Sequence, residues 1–117
     1  MKQEIEKRLI NLATDINKIC KTLDDSYFSY HLTTQIIRSS TSAALNYGEA
    51  QGAESRKDFI HKNSIVLKEL KETKISLKLL GNTSVDKSKK IIIDCQNECD
   101  QLAAIFYKMV ATARNNK

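Results

Sequence analysis

Cys95 and Cys99 stand four residues apart, a spacing that sets two thiols on one helical face and could offer two sulfur ligands to a metal. Two ligands do not complete a site, and neither His31 nor His61 has a sequence relation to the pair. Both cysteines fall on an apolar stripe, where a free thiol packs as a small hydrophobe. They are expected to be reduced, buried and metal-free. His61 follows Asp58 by three residues and could be oriented by it, but on a heptad count both face outward and no nucleophile accompanies them. Glu49 is the one carboxylate that the pattern would bury, and a single acid is not a catalytic pair. No glycine-rich loop is present to cradle a phosphate. The expectation is a protein that is not an enzyme, with no cofactor and no small-molecule substrate.

Two other groups of residues carry more information. With Phe59 on the inward side of a helix, Lys57, His61, Lys68, Lys71 and Lys78 all fall on the opposite face, and Arg56 sits beside them. Lys87, Lys89 and Lys90 follow closely in sequence. Clustered positive charge is enough for phosphate contact. The competing reading is a solvated face held by pairs such as Asp58–Lys62 and Lys68–Glu72. Arg38, Ser39, Ser42, Asn46 and Glu49 form the second group, polar residues near helical spacing on a helix that must bury one side. Buried charge needs a partner, and Glu69 and Glu72 on the next helix are candidates for Arg38. Arg38, Ser42, Asn46, Glu49 and Glu72 are therefore read as a buried polar network that fixes helix register or faces another subunit.

Four amphipathic helices position these groups. In the first, Gln3 to Asp24, the apolar residues Ile5, Leu9, Leu12, Ile16, Ile19 and Leu23 alternate steps of four and three, the seam of a bundle helix. Asp24, Asp25 and Ser26 offer capping side chains. The second helix, Tyr27 to Ala50, has the seam Leu32, Ile36, Ser39, Ala43, Asn46 and Ala50, which turns small and polar after two turns. Gly52 is its expected cap. The third, Ser55 to Leu80, carries Phe59, Asn63, Val66, Leu70, Thr73, Leu77 and Leu80, with Gly81 suited to a left-handed cap. Thr83 or Ser84 would cap the fourth, Val85 to Arg114, with Asp86 in its first turn. Its seam reads Ile92, Cys95, Cys99, Leu102, Phe106, Met109 and Ala113, and Arg114 and Lys117 stand at its cation-favouring end. Short loops between such helices give an all-α, antiparallel up-down-up-down four-helix bundle, one domain over residues 1–117.

Composition agrees. The 117 residues contain no proline and three glycines, so few breaks are enforced. Residues 54–90 hold ten basic and five acidic side chains, while the flanking segments are balanced, so the whole net charge of +5 arises there. The charged opening Met1-Lys2-Gln3-Glu4 lacks the apolar stretch of a signal peptide, and no apolar run reaches membrane-spanning length. A cytoplasmic protein with no membrane contact is expected.

Residues 36–65 also carry a recognisable pattern. Ile36-Ile37-Arg38-Ser39-Ser40-Thr41-Ser42, Asn46, Glu49-Ala50-Gln51-Gly52, then Ser55-Arg56-Lys57-Asp58-Phe59-Ile60 and Ser64-Ile65 resemble the four-helix-bundle family of 23S ribosomal RNA intervening-sequence proteins. The likeness covers most of the second and third helices, in order and with the same spacing. It departs from the pattern at Leu45 and Tyr47, which flank the motif asparagine, and at Gly48, which weakens the helix by ~1 kcal/mol relative to Ala.

The resemblance implies a small bacterial four-helix bundle that assembles as a ring-shaped homopentamer, and a role with nucleic acid. The leading expectation is thus a non-enzymatic oligomer that binds RNA, or DNA, through Arg56, Lys57, Lys68, Lys71 and Lys78. The alternative is a protein-interaction scaffold that docks through the polar stripe of the second helix.

Overall fold

A computed structural model describes residues 2–83 and 86–116, with the backbone alone for residues 86 and 87. Four helices follow in order: α1 Lys2–Cys20, α2 Tyr27–Gln51, α3 Arg56–Gly81 and α4 Asp86–Asn115. Ser84, Val85 and Lys117 and the side chains of Asp86 and Lys87 lie outside the described residues, and with them the expected contributions of Ser84, Asp86, Lys87 and Lys117.

Helix ends follow local hydrogen-bond chemistry. α1 stops at Cys20, short of Asp24, where the backbone tightens into i−3 bonds, Thr22 N–H to the Ile19 carbonyl at 2.9 Å and Leu23 N–H to the Cys20 carbonyl at 3.4 Å. Asp24 then accepts from Ser26 N–H and from the Ser29 hydroxyl, and Ser26 caps α2 by accepting from Ser29 N–H at 3.1 Å. Those hydrogen bonds hold the Asp24 carboxyl below its ordinary value. Ser55 caps α3 in the same way, through Asp58 N–H at 3.0 Å. Gly52 caps α2 as expected, at φ −102°. The left-handed cap expected at Gly81 is not formed: Gly81 is the last residue of α3, Asn82 caps it with φ −73°, and no described residue has positive φ. Thr83 donates to the Leu80 carbonyl at the end of α3.

Cross-helix pairs set the directions. Tyr47 near the end of α2 donates to the Lys2 carbonyl at the start of α1, Arg38 meets Glu69 and Glu49 meets Lys62 between α2 and α3, and Arg8 meets Glu98 between α1 and α4. Lys74 pairs with Asp100 between α3 and α4. As α2 runs from Arg38 to Glu49 its α3 partners run back from Glu69 to Lys62, and from Arg8 to Thr22 the α4 partners run back from Glu98 to Ser88, so these neighbours are antiparallel. Consecutive helices pack side by side and α1 closes the square against α4, giving a rod of 49 × 21 × 20 Å.

One core runs the length of the rod, and Ile16, Leu70, Leu77 and Phe106 are each 0% exposed in it. Two seams depart from the strict four-three alternation. In α2 the inward residue after Ala43 is Tyr47, not Asn46, and its ring meets Phe106 edge-on at 5.4 Å. In α4 Val110 is buried where Met109 was expected, and Met109 lies half-buried beside it. A straight helix of 3.6 residues per turn drifts about 20° per heptad, which carries the inward line onto the next residue.

Candidate nucleic-acid interface

Three of the four acids of α2 and α3 are held by cations across the seam, Glu69 and Glu72 by Arg38 and Glu49 by Lys62. Glu69 is the buried carboxylate among the described residues, 4% exposed, and Arg38 reaches it with Nη1 at 2.9 Å while Nη2 holds Glu72. Burial pushes the Glu69 carboxyl up, but hydrogen bonds from Arg38 and Ser42 and the charge of Arg38 outweigh it and hold it below the usual range. The same bonds raise the Arg38 guanidinium, first through Glu69 and then through Glu72. Asn46 donates to the Ser42 carbonyl at 2.9 Å and to its hydroxyl at 3.1 Å, so Ser42 links Asn46 to Glu69. Ser39, inside the core, shares a 2.7 Å hydrogen bond with Thr73.

Glu49 does not belong to this network. It was expected to be buried, yet its side chain is 56% exposed and bound by Lys62 at 2.6 Å. The reason is its position on the flank of α2: Tyr47 and Ala50 take the inward line, and Glu49 reaches outward over the start of α3. Lys62 is therefore bonded by Glu49, with the charge of the expected Asp58 only adding to the attraction, and Glu72 serves Arg38 rather than the expected Lys68. Acids on the flanks of neighbouring helices reach across the seam.

What remains is a row of lysines. Lys57, Lys68, Lys71 and Lys78 are exposed, and none has an ion pair among the described residues. They span about 32 Å of α3 at 1.5 Å per residue. Arg56 is exposed and donates to the Asn116 carbonyl at the end of α4, so it is partly engaged. The face is not purely basic. Ile75 and Leu79 stand on it at 55% and 41% exposure, and they share a groove of about 720 Å³ between α2 and α3 with Lys68, Lys71, His31 and Gln35. Lys71 is also a wall of a second concavity, between α3 and α4, with Tyr107 and Arg114. Tyr107 was missed by sequence reasoning and Arg114 was read only as a helix-end cation. The signal was Tyr107's place one residue past the seam residue Phe106, which turns it outward beside α3.

The outer face of α2 is different again. Tyr30, Thr34, Ile37, Thr41, Leu45 and Gly48 are all exposed, and this line contains no charge. A Cβ added at Gly48 would meet nothing within 4 Å. The expected docking stripe of Ser39, Ser42 and Asn46 lies elsewhere: Ser39 is buried against α3, and Ser42 and Asn46 are half-buried.

The thiols sit apart from all of this. Burial pushes Cys95 and Cys99 up to about 12 each, with neighbouring carboxylates adding to the effect at Cys95. Cys20 is half-buried, raised by burial and partly restored by a hydrogen bond with Thr33. Among the described residues no three His, Cys, Asp or Glu side chains gather as a metal would need, and His61 is exposed. No helix is long and apolar enough to cross a membrane among those residues.

The comparison with curated proteins gives no match. Among solved structures, the chain is similar to a protein of unknown function from the S23 ribosomal protein family of Bacteroides thetaiotaomicron, 29% identical, with a TM-score of 0.78 over 91% of this chain and 97% of that one. The description of a 23S rRNA-intervening sequence protein matches residues 1–108, which takes in α1, α2, α3 and most of α4. With that match and these four helices together, the chain belongs to the 23S rRNA-intervening sequence protein family.

Proposed function

We propose that this protein is a non-enzymatic, cytoplasmic bacterial homo-oligomer that binds RNA through the outward face of α3. The observation that carries the reading is the sorting of charge: Arg38, Lys62 and Lys74 occupy Glu69, Glu72, Glu49 and Asp100, while Lys57, Lys68, Lys71 and Lys78 stay unpaired among the described residues. Such lysines contact phosphates without reading sequence, so affinity depends on salt more than on bases. Assembly multiplies the effect, because linked rows bind with far greater avidity than one. The uncharged outer face of α2 supports an oligomer, and the family resemblance favours five subunits.

The test is titration of a mixed-sequence RNA at low and at physiological salt, for the native chain and a Lys68→Glu, Lys71→Glu variant of equal helicity and mass. Native binding should be tight at low salt and fall steeply as salt rises, and the variant should bind far more weakly. Equal binding by both chains would return the row to an ordinary solvated face. No binding by the native chain even at low salt would leave the scaffold reading, for which the exposed Tyr30, Ile37 and Leu45 are the supporting residues.

A further inference from the structure

The concavity between α3 and α4 has a composition that phosphate contact alone does not use. It holds about 400 Å³ and is lined by Ser64, Lys71, Tyr107, Arg114 and Asn115 among others. Tyr107 is 67% exposed there, and among the described residues its ring has no aromatic neighbour, the one ring pair being Tyr47 with Phe106. Lys71 and Arg114, on either helix, have no ion pair among the described residues. Ser64 lies where this concavity meets the larger α2–α3 groove, its hydroxyl buried and without a hydrogen-bond partner among the described residues. Lys71 belongs to both, so a continuous track leads from Arg114 past Tyr107 and Lys71 to Lys68 and Ile75.

An open aromatic ring flanked by two cations inside a concave track suits a strand whose bases are free to turn inward. A base stacks on the ring while the neighbouring phosphates meet the cations. A duplex keeps its bases stacked inside and cannot enter in this way. The exposed amide of Asn115 provides hydrogen-bonding groups for a ribose 2′-hydroxyl, which favours RNA over DNA.

We propose that Tyr107 stacks a base of single-stranded RNA whose flanking phosphates lie on Lys71 and Arg114. The inference rests on the nucleic-acid reading above and adds to it the form of the ligand. The chain contains no tryptophan, so a Tyr107→Trp variant reports on this position alone. Its emission should be quenched by a short unstructured RNA and not by a blunt RNA duplex at the same salt. Tyr107→Ala should weaken binding of the unstructured RNA roughly tenfold, within the range for losing one stacked base, and leave duplex binding unchanged. Tyr107→Phe should bind like the native chain. If unstructured RNA binds with the Trp emission unchanged, or the Ala variant binds it as well as the native chain, stacking is overturned while the phosphate reading stands. If neither RNA binds at low salt, both fall. If Tyr107→Ala lowers the mass of the assembly, the concavity is a contact with a second copy, and the proposal is overturned.

Discussion

Arg38 on α2 holds the Glu69 carboxylate of α3 at 2.9 Å, and through its second nitrogen it binds Glu72 one turn further on. A carboxylate only 4% exposed is thereby kept ionised at a helix seam. The pair gives α2 and α3 a fixed register, since sliding either helix by one turn would strand Glu69 without its cation.

Replacing Arg38 with Met should therefore cost about 2 kcal/mol, less than the ~3–5 kcal/mol of a fully buried pair because the Arg38 side chain is half exposed. The pH dependence should also reverse. In the native chain the depressed Glu69 carboxyl contributes stability above its unfolded value, lost as pH falls through its folded value. Without Arg38 burial dominates and raises the carboxyl, so the variant should gain stability as pH falls from neutral towards the carboxylate range. Urea midpoints across that range decide it. A variant that loses stability on acidification as the native chain does would remove Glu69 from this role.

Tyr47 anchors the other end of α2. Its ring is 3% exposed and packs edge-on against Phe106, while its hydroxyl reaches the Lys2 carbonyl only at 3.5 Å. Tyr47→Ala should cost ~3–5 kcal/mol, the range for deleting a buried ring, and Tyr47→Phe should cost less than ~1 kcal/mol because the hydrogen bond is long. Leu70→Ala, at a position 0% exposed, belongs in the ~2–5 kcal/mol range. Denaturant unfolding of the variants separates the ring from the hydroxyl.

Why α1 was legible and α2 was not follows from their seams. Every buried position of α1 is aliphatic, so the periodicity of Ile5, Leu9, Leu12, Ile16 and Ile19 leaves no choice of face. In α2 polar Ser39 and Asn46 stand where apolar residues would mark the stripe, and Asn46 and Tyr47 both fit it within one residue. Helical drift chooses Tyr47, and the ring of Phe106 on α4 rewards the choice. Glu49 and Glu69 show the same limit. Both lie beside a seam, and only the rotation of α2 against α3 decides that Glu69 is covered and Glu49 is not. The lysine row could be read from one helix alone, because it needs only the period of α3. The track through Tyr107 and Arg114 joins two helices 36 residues apart at Lys71 and Tyr107, a relation that periodicity within one helix does not contain.

Cys95 and Cys99 should behave as packing atoms. Each thiol is pushed from its ordinary value near 9 to about 12, chiefly by burial. Little thiolate then exists in the folded protein at neutral pH, so an alkylating reagent should modify Cys20 first and the other two only on unfolding. Because the folded values are raised, the thiols stabilise the fold fully below the unfolded value and progressively lose that contribution as pH rises from about 9 to about 12. Mass spectrometry after timed alkylation, with and without denaturant, reads the first point. Alkylation of all three thiols at equal rates in the folded chain would contradict it.

The outer face of α2 makes the last prediction. Leu45 is 66% exposed in the single chain, and the line from Tyr30 to Gly48 carries no charge over almost five helical turns. Solvated helix faces ordinarily carry charge, so an uncharged one of this length fits a surface covered by another copy. In the isolated chain Leu45→Glu should change stability by no more than ~0.5 kcal/mol, the usual range for an exposed site. In an assembly it would place a charge against an apolar partner, and the mass measured by light scattering at micromolar concentration should fall to that of the single chain. Gly48→Ala separates the two levels. With nothing within 4 Å of the added Cβ, it should stabilise α2 by ~0.5–1 kcal/mol, seen as a rise of a few degrees in Tm, while the added methyl group weakens any close helix contact made at that point. A native chain that already scatters as a monomer would dismiss the assembly and, with it, the avidity on which tight RNA binding was argued. A native oligomer whose mass Leu45→Glu leaves untouched would move the subunit contact to another face, and the exposed Ile75 and Leu79 beside the lysine row would be the next residues to change.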